Sequence, residues 1–216
     1  MRALLAGLLV LLAAVGAAKS DDAPGDFDFY VLALSWSPSY CASVKPGRSP
    51  LQCDSGRPYA FVLHGLWPQY ERGYPANCVS PAPRLPQALV RSLLDIMPSE
   101  GLVTHQWRKH GTCSGKDAEA FFALSRQAFD AVTIPSVYAR LDSHLTLSPE
   151  VLEQAFLDAN PNLTAAGFSV YCRDRNLREV RICLTKDLEP RACAELERRQ
   201  CRRDRLVMPP LRGASP

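Results

Sequence analysis

The chain has 216 residues, of which 47% are hydrophobic, and a formal charge of +3. That length supports one domain with an ordinary buried core. So small a charge excludes a surface that gathers polyanions by field strength alone, so any contact with nucleic acid must come from a local site.

Arg2 precedes an unbroken apolar run from Ala3 to Val15, and Gly16-Ala17-Ala18 supplies the small residues of a processing site. This is the pattern of a secretory signal peptide. The run is shorter than the ~20 residues a bilayer crossing needs, and no second apolar run follows. Residues 1–18 are therefore read as a leader, 19–208 as one domain, and 209–216 as a flexible C-terminal tail. Loss of the leader removes only Arg2, which lowers the charge from +3 to +2. The mature protein is expected to be secreted or periplasmic, a monomer, and free of the membrane.

From Asp26 to Trp36 the sequence reads as a strand whose two faces both become apolar, the mark of a central position. A loop with Pro38, Pro46, Gly47 and Pro50 follows. Tyr59 to Leu63 reads as a second buried strand that ends at His64-Gly65-Leu66-Trp67-Pro68. Pro81, Pro83 and Pro86 mark a loop before an amphipathic helix over Gln87 to Met97. A further helix begins near His105 and should stop at Gly111, a residue suited to the left-handed position past a helix end. Ala118 to Val132 has apolar residues at helical spacing. Ser148-Pro149-Glu150 opens another helix, with Ser as cap and Pro in the first turn. Two strands come last, Gly167 to Cys172 and Glu179 to Leu184. Strand pairs interrupted by helices, without a βαβ rhythm, predict an α+β fold.

All eight cysteines, Cys41, Cys53, Cys78, Cys113, Cys172, Cys183, Cys193 and Cys201, lie beyond the leader. An even count behind an export signal predicts four disulfides. On the order of a hundred pairings remain open at this point. The absence of any C-x2-C pair argues against a zinc cluster. The arginines between Arg173 and Arg205 are interspersed with Asp174, Glu179, Asp187, Glu189, Glu195, Glu197 and Asp204, which predicts a solvated, ion-paired surface. Asn162-Leu163-Thr164 has the form of a glycosylation sequon.

Three of the four histidines fall in two short segments. Taken as a helix, His105-Gln106-Trp107-Arg108-Lys109-His110 sets His105 beside Lys109 and Gln106 beside His110. Trp107 then points into the core. Two imidazoles, an ammonium and an amide suit a phosphate, whose oxygens accept from each of them. They suit a metal badly, because the zinc helix motif needs histidines four apart with Glu between them, and Lys109 would repel a cation. With His64 added from the second strand, one imidazole can take a proton while the other gives one. RNA carries its own nucleophile, the 2′-hydroxyl, so two histidines suffice to cut it to a 2′,3′-cyclic phosphate. DNA lacks that hydroxyl and should not react.

His64-Gly65-Leu66-Trp67-Pro68 and Lys109-His110-Gly111-Thr112-Cys113 resemble the two active-site segments of the ribonuclease T2 family. The resemblance runs from about Phe27 to Cys201 and takes in Trp36 to Cys41 and the Val180 to Leu184 strand. It implies an α+β fold with a central antiparallel sheet flanked by helices, and endoribonuclease activity without metal or other cofactor. It also implies roles: His64 as acid, His110 as base, Lys109 on the charged phosphate, His105 on phosphate, and Trp67 stacked on a base. Tyr74 is a second candidate for the base pocket, and His144 matches no motif. The resemblance further implies disulfides Cys78–Cys113, Cys172–Cys201 and Cys183–Cys193, which leaves Cys41–Cys53. One departure stands out. The family motif carries Glu where this chain has Gln106, in the catalytic segment, and an amide does not titrate. The competing reading is therefore an RNA-binding or signalling protein on the same fold with weakened catalysis. Gln69 also stands where an acid is frequent, which leaves the base preference open.

Overall fold

The computed structural model describes residues 22–197 and 200–212. The expected leader and residues 213–216 of the expected tail lie outside them. The chain runs through β1 (Phe29–Trp36), α1 (Ser37–Ser43), α2 (Pro50–Cys53), β2 (Phe61–Gln69), α3 (Gln87–Ser92), α4 (Glu100–Lys109) and α5 (Ala118–Asp130). It continues through α6 (Ser136–Ala139), β3 (Leu145–Leu147), α7 (Pro149–Ala159), β4 (Phe168–Arg173), β5 (Asn176–Leu184), α8 (Ala194–Glu197) and β6 (Leu206–Met208). The strands make one sheet in the order β2-β1-β5-β6-β3, with β4 paired to β5. Every pairing is antiparallel except one: β6 meets β5 in a single parallel pair, Asn176 opposite Val207. The α+β frame is thus as expected, on a sheet that is mixed rather than wholly antiparallel.

β1 lies between β2 and β5, which explains why both its faces are apolar. Successive strand residues point to opposite faces. Tyr30, Leu32, Leu34 and Trp36 enter the main core with Phe121 and Phe122 of α5 and Leu152 and Phe156 of α7. Phe29 and Val31 face the other way, into a smaller cluster with Cys183, Cys193 and Leu196. The helices on the core face are capped, α7 by the serine its sequence predicts. Asp117 accepts from Ala120 N at 2.8 Å at the start of α5, and Ser148 accepts from Val151 N, with Pro149 following, at the start of α7.

Several boundaries move, each for a local reason. β2 does not stop before the His64 segment but runs through it to Gln69, paired with β1 on both sides of His64. Pro68 is tolerated because β2 ends the sheet order and its outer side needs no ladder donor. α3 closes at Ser92 rather than Met97; the carbonyl of Ile96 instead accepts from Leu63 N at 2.9 Å, tying the turn to β2. α4 begins at Glu100, capped by Ser99, whose hydroxyl accepts from Leu102 N. Gly101, Val103 and Thr104 are weak helix formers and mask that start. Gly111 is not left-handed; it opens a 3-10 turn, Gly111–Cys113. Its missing Cβ makes room for Trp107 and Phe121, which a methyl group there would overlap. The tail is anchored at its beginning, since Pro209 O accepts from Trp36 Nε1 and Leu211 is buried.

The four disulfides are Cys41–Cys53, Cys78–Cys113, Cys172–Cys201 and Cys183–Cys193, the set that the resemblance implies. Among the described residues, no helix is long and apolar enough to cross a membrane.

Substituting Gly111→Ala should cost about 1–3 kcal/mol, the usual penalty for overpacking. A thermal melt reads this as a fall of several degrees; an unchanged midpoint would show that the contact relaxes freely.

Candidate active site

The site begins with a bulge. Ala33 of β1 pairs with Gly65 and Leu34 pairs with Leu63, so His64 has no partner of its own across the ladder. An extra residue of this kind bends a strand and re-aims its side chains. Leu63 before the bulge and Leu66 after it both enter the main core. Trp67 lies on the opposite face, beside the Phe29 cluster. His64, Trp67 and Gln69 line one cavity on that face with Val31 of β1 and Arg181 of β5. Its volume is about 220 Å³.

The other wall is α4. Val103 and Trp107 anchor the helix in the main core, and Trp107 Nε1 donates to Pro83 O at 2.9 Å. Gln106 and His110 follow on the buried side, 2% and 6% exposed, while His105 is exposed and Lys109 half-buried at the rim. The helical spacing thus brings all four to the cavity but divides them between floor and mouth. α4 comes close to β2 because residue 65 is glycine. A Cβ there would overlap Gln106 Oε1 and Trp67 Nε1, which form a hydrogen bond of 2.8 Å. An indole N–H only donates, so this bond assigns the Gln106 amide: Oε1 faces Trp67, and the NH2 is the donor left for the cavity.

The aromatic rings knit the pocket. Trp67 packs edge-on against His64, centroids 5.1 Å apart, and is stacked on His110 at 5.5 Å. The Arg181 guanidinium lies over the same indole at 5.2 Å. Tyr74 stands at the mouth, 43% exposed, with Lys109 Nζ over its ring at 5.5 Å. Its loop is tied to the end of α4 by the Cys78–Cys113 disulfide and by Asn77 N donating to Lys109 O at 2.9 Å.

The two principal imidazoles differ in surroundings. Burial, then the charges of Lys109, His105 and His64, push His110 down to about 3, so it is neutral at physiological pH. Its Nδ1 is buried without a protein partner. Burial and Lys109 also lower His105, followed by Arg108 and His64. His64 makes an ion-pair contact: its Nδ1 lies 2.7 Å from Glu179 Oε2. Glu179 is 3% exposed. Burial alone would raise its carboxyl, but the His64 contact and Arg181 outweigh it and hold the group below the usual range. Arg181 donates to the second oxygen, Oε1, from Nε at 2.8 Å and from Nη2 as well.

All seven residues singled out in the sequence, His64, Trp67, Tyr74, His105, Gln106, Lys109 and His110, line this one cavity. His144 is exposed and away from it. Glu179 and Arg181 were expected in a solvated charged surface; instead Glu179 is buried behind the site and Arg181, half-buried, lines the cavity, a correction to that expectation. Arg173, Asp174, Arg175 and Arg202 to Arg205 are exposed as expected. The overlooked signal is the alternation in β5: Val180, Ile182 and Leu184 enter the main core, so Glu179 and Arg181 share the opposite face with Cys183. Among the described residues, no group of three or more His, Cys, Asp or Glu side chains could hold a metal ion.

The frame around this pocket is a ribonuclease fold. An RNase-related protein from Calystegia sepium superposes with TM-score 0.69 at 22% identity, over 85% of this chain and 97% of its own. RNase NT, solved in complex with 5′-AMP, superposes with TM-score 0.64 at 21% identity, over 86% of this chain and all of its own. The chain belongs to the ribonuclease T2 family, whose model matches residues 27–193. It is 39% identical over 187 residues to a ribonuclease of Aeromonas hydrophila, covering 85% of this chain and 83% of that relative. A probable ribonuclease of Haemophilus influenzae is 35% identical over 127 residues, 53% of this chain and 47% of that one. The protein is accordingly an endoribonuclease of the T2 type.

The depressed His110 makes a stability prediction. Its folded pKa, about 3, lies below the ordinary imidazole value of 6.5. The stability it contributes is therefore complete above pH ~6.5 and lost as the pH falls toward 3. Urea unfolding at pH 7 and pH 4 should differ by a few kcal/mol, and His110→Phe should shrink that difference. Equal differences in the two proteins would contradict the buried neutral ring.

Proposed function

We propose that the protein cleaves single-stranded RNA by metal-independent transphosphorylation, with His110 as base and His64 as acid. The observation that carries this reading is the convergence of two imidazoles from separate elements on one small cavity, each with a ring nitrogen the protein does not use. His110 removes the 2′-hydroxyl proton and the 2′-oxygen attacks phosphorus. The bond from phosphorus to the 5′-oxygen breaks, and His64 Nε2 gives its proton to that oxygen. The products are a 2′,3′-cyclic phosphate and a free 5′-hydroxyl. Water opens the cyclic ester with the roles reversed, which restores both rings. Positive charge for the phosphate comes from side chains that line the cavity: Lys109, with His105 beside it, and Arg181.

The protonation states suit these roles. A base must start neutral, and His110 does so over a wide range because burial and Lys109 disfavour its cation. For the acid, the Glu179 carboxylate accepts at Nδ1 of His64, 2.7 Å away, and leaves Nε2 to face the leaving oxygen. Of the two candidate base contacts, Tyr74 has the exposed ring. Trp67 is already packed among His64, His110 and Arg181, so it orders the two histidines as well as any base. Gln106 accepts the Trp67 N–H as a carboxylate would and keeps a donor for phosphate, so activity survives its presence.

DNA, without the 2′-hydroxyl, is not cut. The residues assigned these roles all come from one chain, so a monomer suffices. Four disulfides persist only in an oxidising compartment, which agrees with a secreted or periplasmic destination.

The deciding assay is RNA cleavage by the oxidised mature protein in excess EDTA, with the product ends identified. Cyclic phosphate ends, intact DNA and a loss of at least ~100-fold in His64→Ala and in His110→Ala are expected. Binding without cleavage at every pH would overturn the reading in favour of an RNA-binding protein on the same fold.

Gln106→Glu should change the rate by less than about a hundredfold. Its new negative charge favours the His110 cation, so the acid limb of kcat/KM should move to higher pH. Restoration of full activity from none would contradict this, as would an unmoved limb.

A further inference from the structure

We propose that Glu179 is the positioning residue for His64: it turns Nε2 of the ring toward the substrate and places a negative charge behind the ring. The proposal rests on the reading of His64 as the acid.

Three observations carry it. The first is the bond itself. Glu179 Oε2 lies 2.7 Å from His64 Nδ1, and a carboxylate offers only lone pairs. Nδ1 must therefore carry the hydrogen, which fixes the tautomer and leaves Nε2 as the nitrogen free for the cavity.

The second is the rigidity of the holder. Glu179 lies within β5, paired with Ser35 of β1 and Tyr171 of β4. Its other oxygen is held by Arg181 through two nitrogens. Arg181 is steadied in turn over two rings, Trp67 at 5.2 Å and Tyr171 at 4.7 Å. A carboxylate placed only to neutralise Arg181 would have no reason to spend its second oxygen on a half-exposed imidazole.

The third is the charge inventory. The titratable and charged groups that line the cavity with His64 are Lys109, His105 and His110 from α4, Arg181 from β5, and Tyr74 from its loop. None of these is an anion in the working range, and four of them repel a proton on His64 when charged. Glu179, behind the ring, is the counter-charge. The pairing of a buried carboxylate with Nδ1 orients an imidazole and stabilises its cation, as in other acid–base sites.

The test uses a graded set of variants on the oxidised protein. Glu179→Gln still offers a carbonyl oxygen to Nδ1–H but no charge. We expect kcat to fall on the order of a hundredfold with KM little changed, and the basic limb of kcat/KM to move to lower pH. Glu179→Ala also loses the orientation, so it should fall further, and 15N NMR of the His64 ring should show mixed tautomers. Glu179→Asp keeps the charge and should recover part of the rate.

If Arg181, left without its partner, prevents Glu179→Gln from folding, the double variant Glu179→Gln with Arg181→Gln removes the unpaired cation, and its basic limb is expected to lie at lower pH than that of Arg181→Gln alone. A lower Tm in every variant, with an unmoved pH profile and a single His64 tautomer, would assign Glu179 a structural role alone and overturn the proposal. Failure of the underlying reading looks different. His64→Ala would then cleave RNA as the wild type does, while the tautomer in Glu179→Ala would still judge the positioning by itself.

Discussion

The approach of α4 to β2 over Gly65 is the contact on which the rest of the site depends. With no side chain at residue 65, the Gln106 amide and the Trp67 indole meet in the space a methyl group would fill. That single hydrogen bond joins the two segments that line the cavity. It sets the indole between His64 and His110 and so fixes the separation of the two imidazoles. The ribonuclease motif Gly65-Leu66-Trp67 has a physical meaning here: a gap, a core anchor and an organising ring.

The bulge at His64 complements that gap. Strict alternation along β2 would put Leu63 in the core and Leu66 on the opposite face. The extra residue restores Leu66 to the core and leaves His64 and Trp67 to line the cavity. One strand thereby supplies both the packing that holds it and side chains that line the cavity. The helix divides its duties in the same way, with Val103 and Trp107 in the core and Gln106 and His110 at the cavity floor.

Burial then differentiates two chemically identical rings. His110 loses solvent among cationic neighbours and stays neutral, whereas His64 sits against a buried carboxylate. Isolating a charge such as Glu179 from water is costly unless its oxygens are satisfied. Here each oxygen has a cationic or hydrogen-bonding partner. The small cluster of Phe29, Val31 and Leu196, with the Cys183–Cys193 disulfide, packs on this same side of the sheet.

Local chemistry made much of this legible in advance. The central strand showed in its two apolar faces, the cap of α7 in Ser148-Pro149, and most of the cavity residues in two short motifs. Helical spacing alone paired His105 with Lys109 and Gln106 with His110. Other features depend on contacts between residues far apart in the chain, and no local pattern encodes them. The continuation of β2 through Pro68 required knowing that it is an edge strand. The role of Gly111 required Phe121 beside it, not a left-handed turn. Glu179 and Arg181, read by composition, belonged to a charged surface; only the pairing of β5 with β1 and β4 buried Glu179 behind His64 and set Arg181 in the cavity wall. The sequence by itself determined which groups could do the chemistry, because side-chain type and short-range spacing are local properties. The tertiary structure alone decided their protonation, orientation and partners, because those follow from burial and from charges brought together across the sheet.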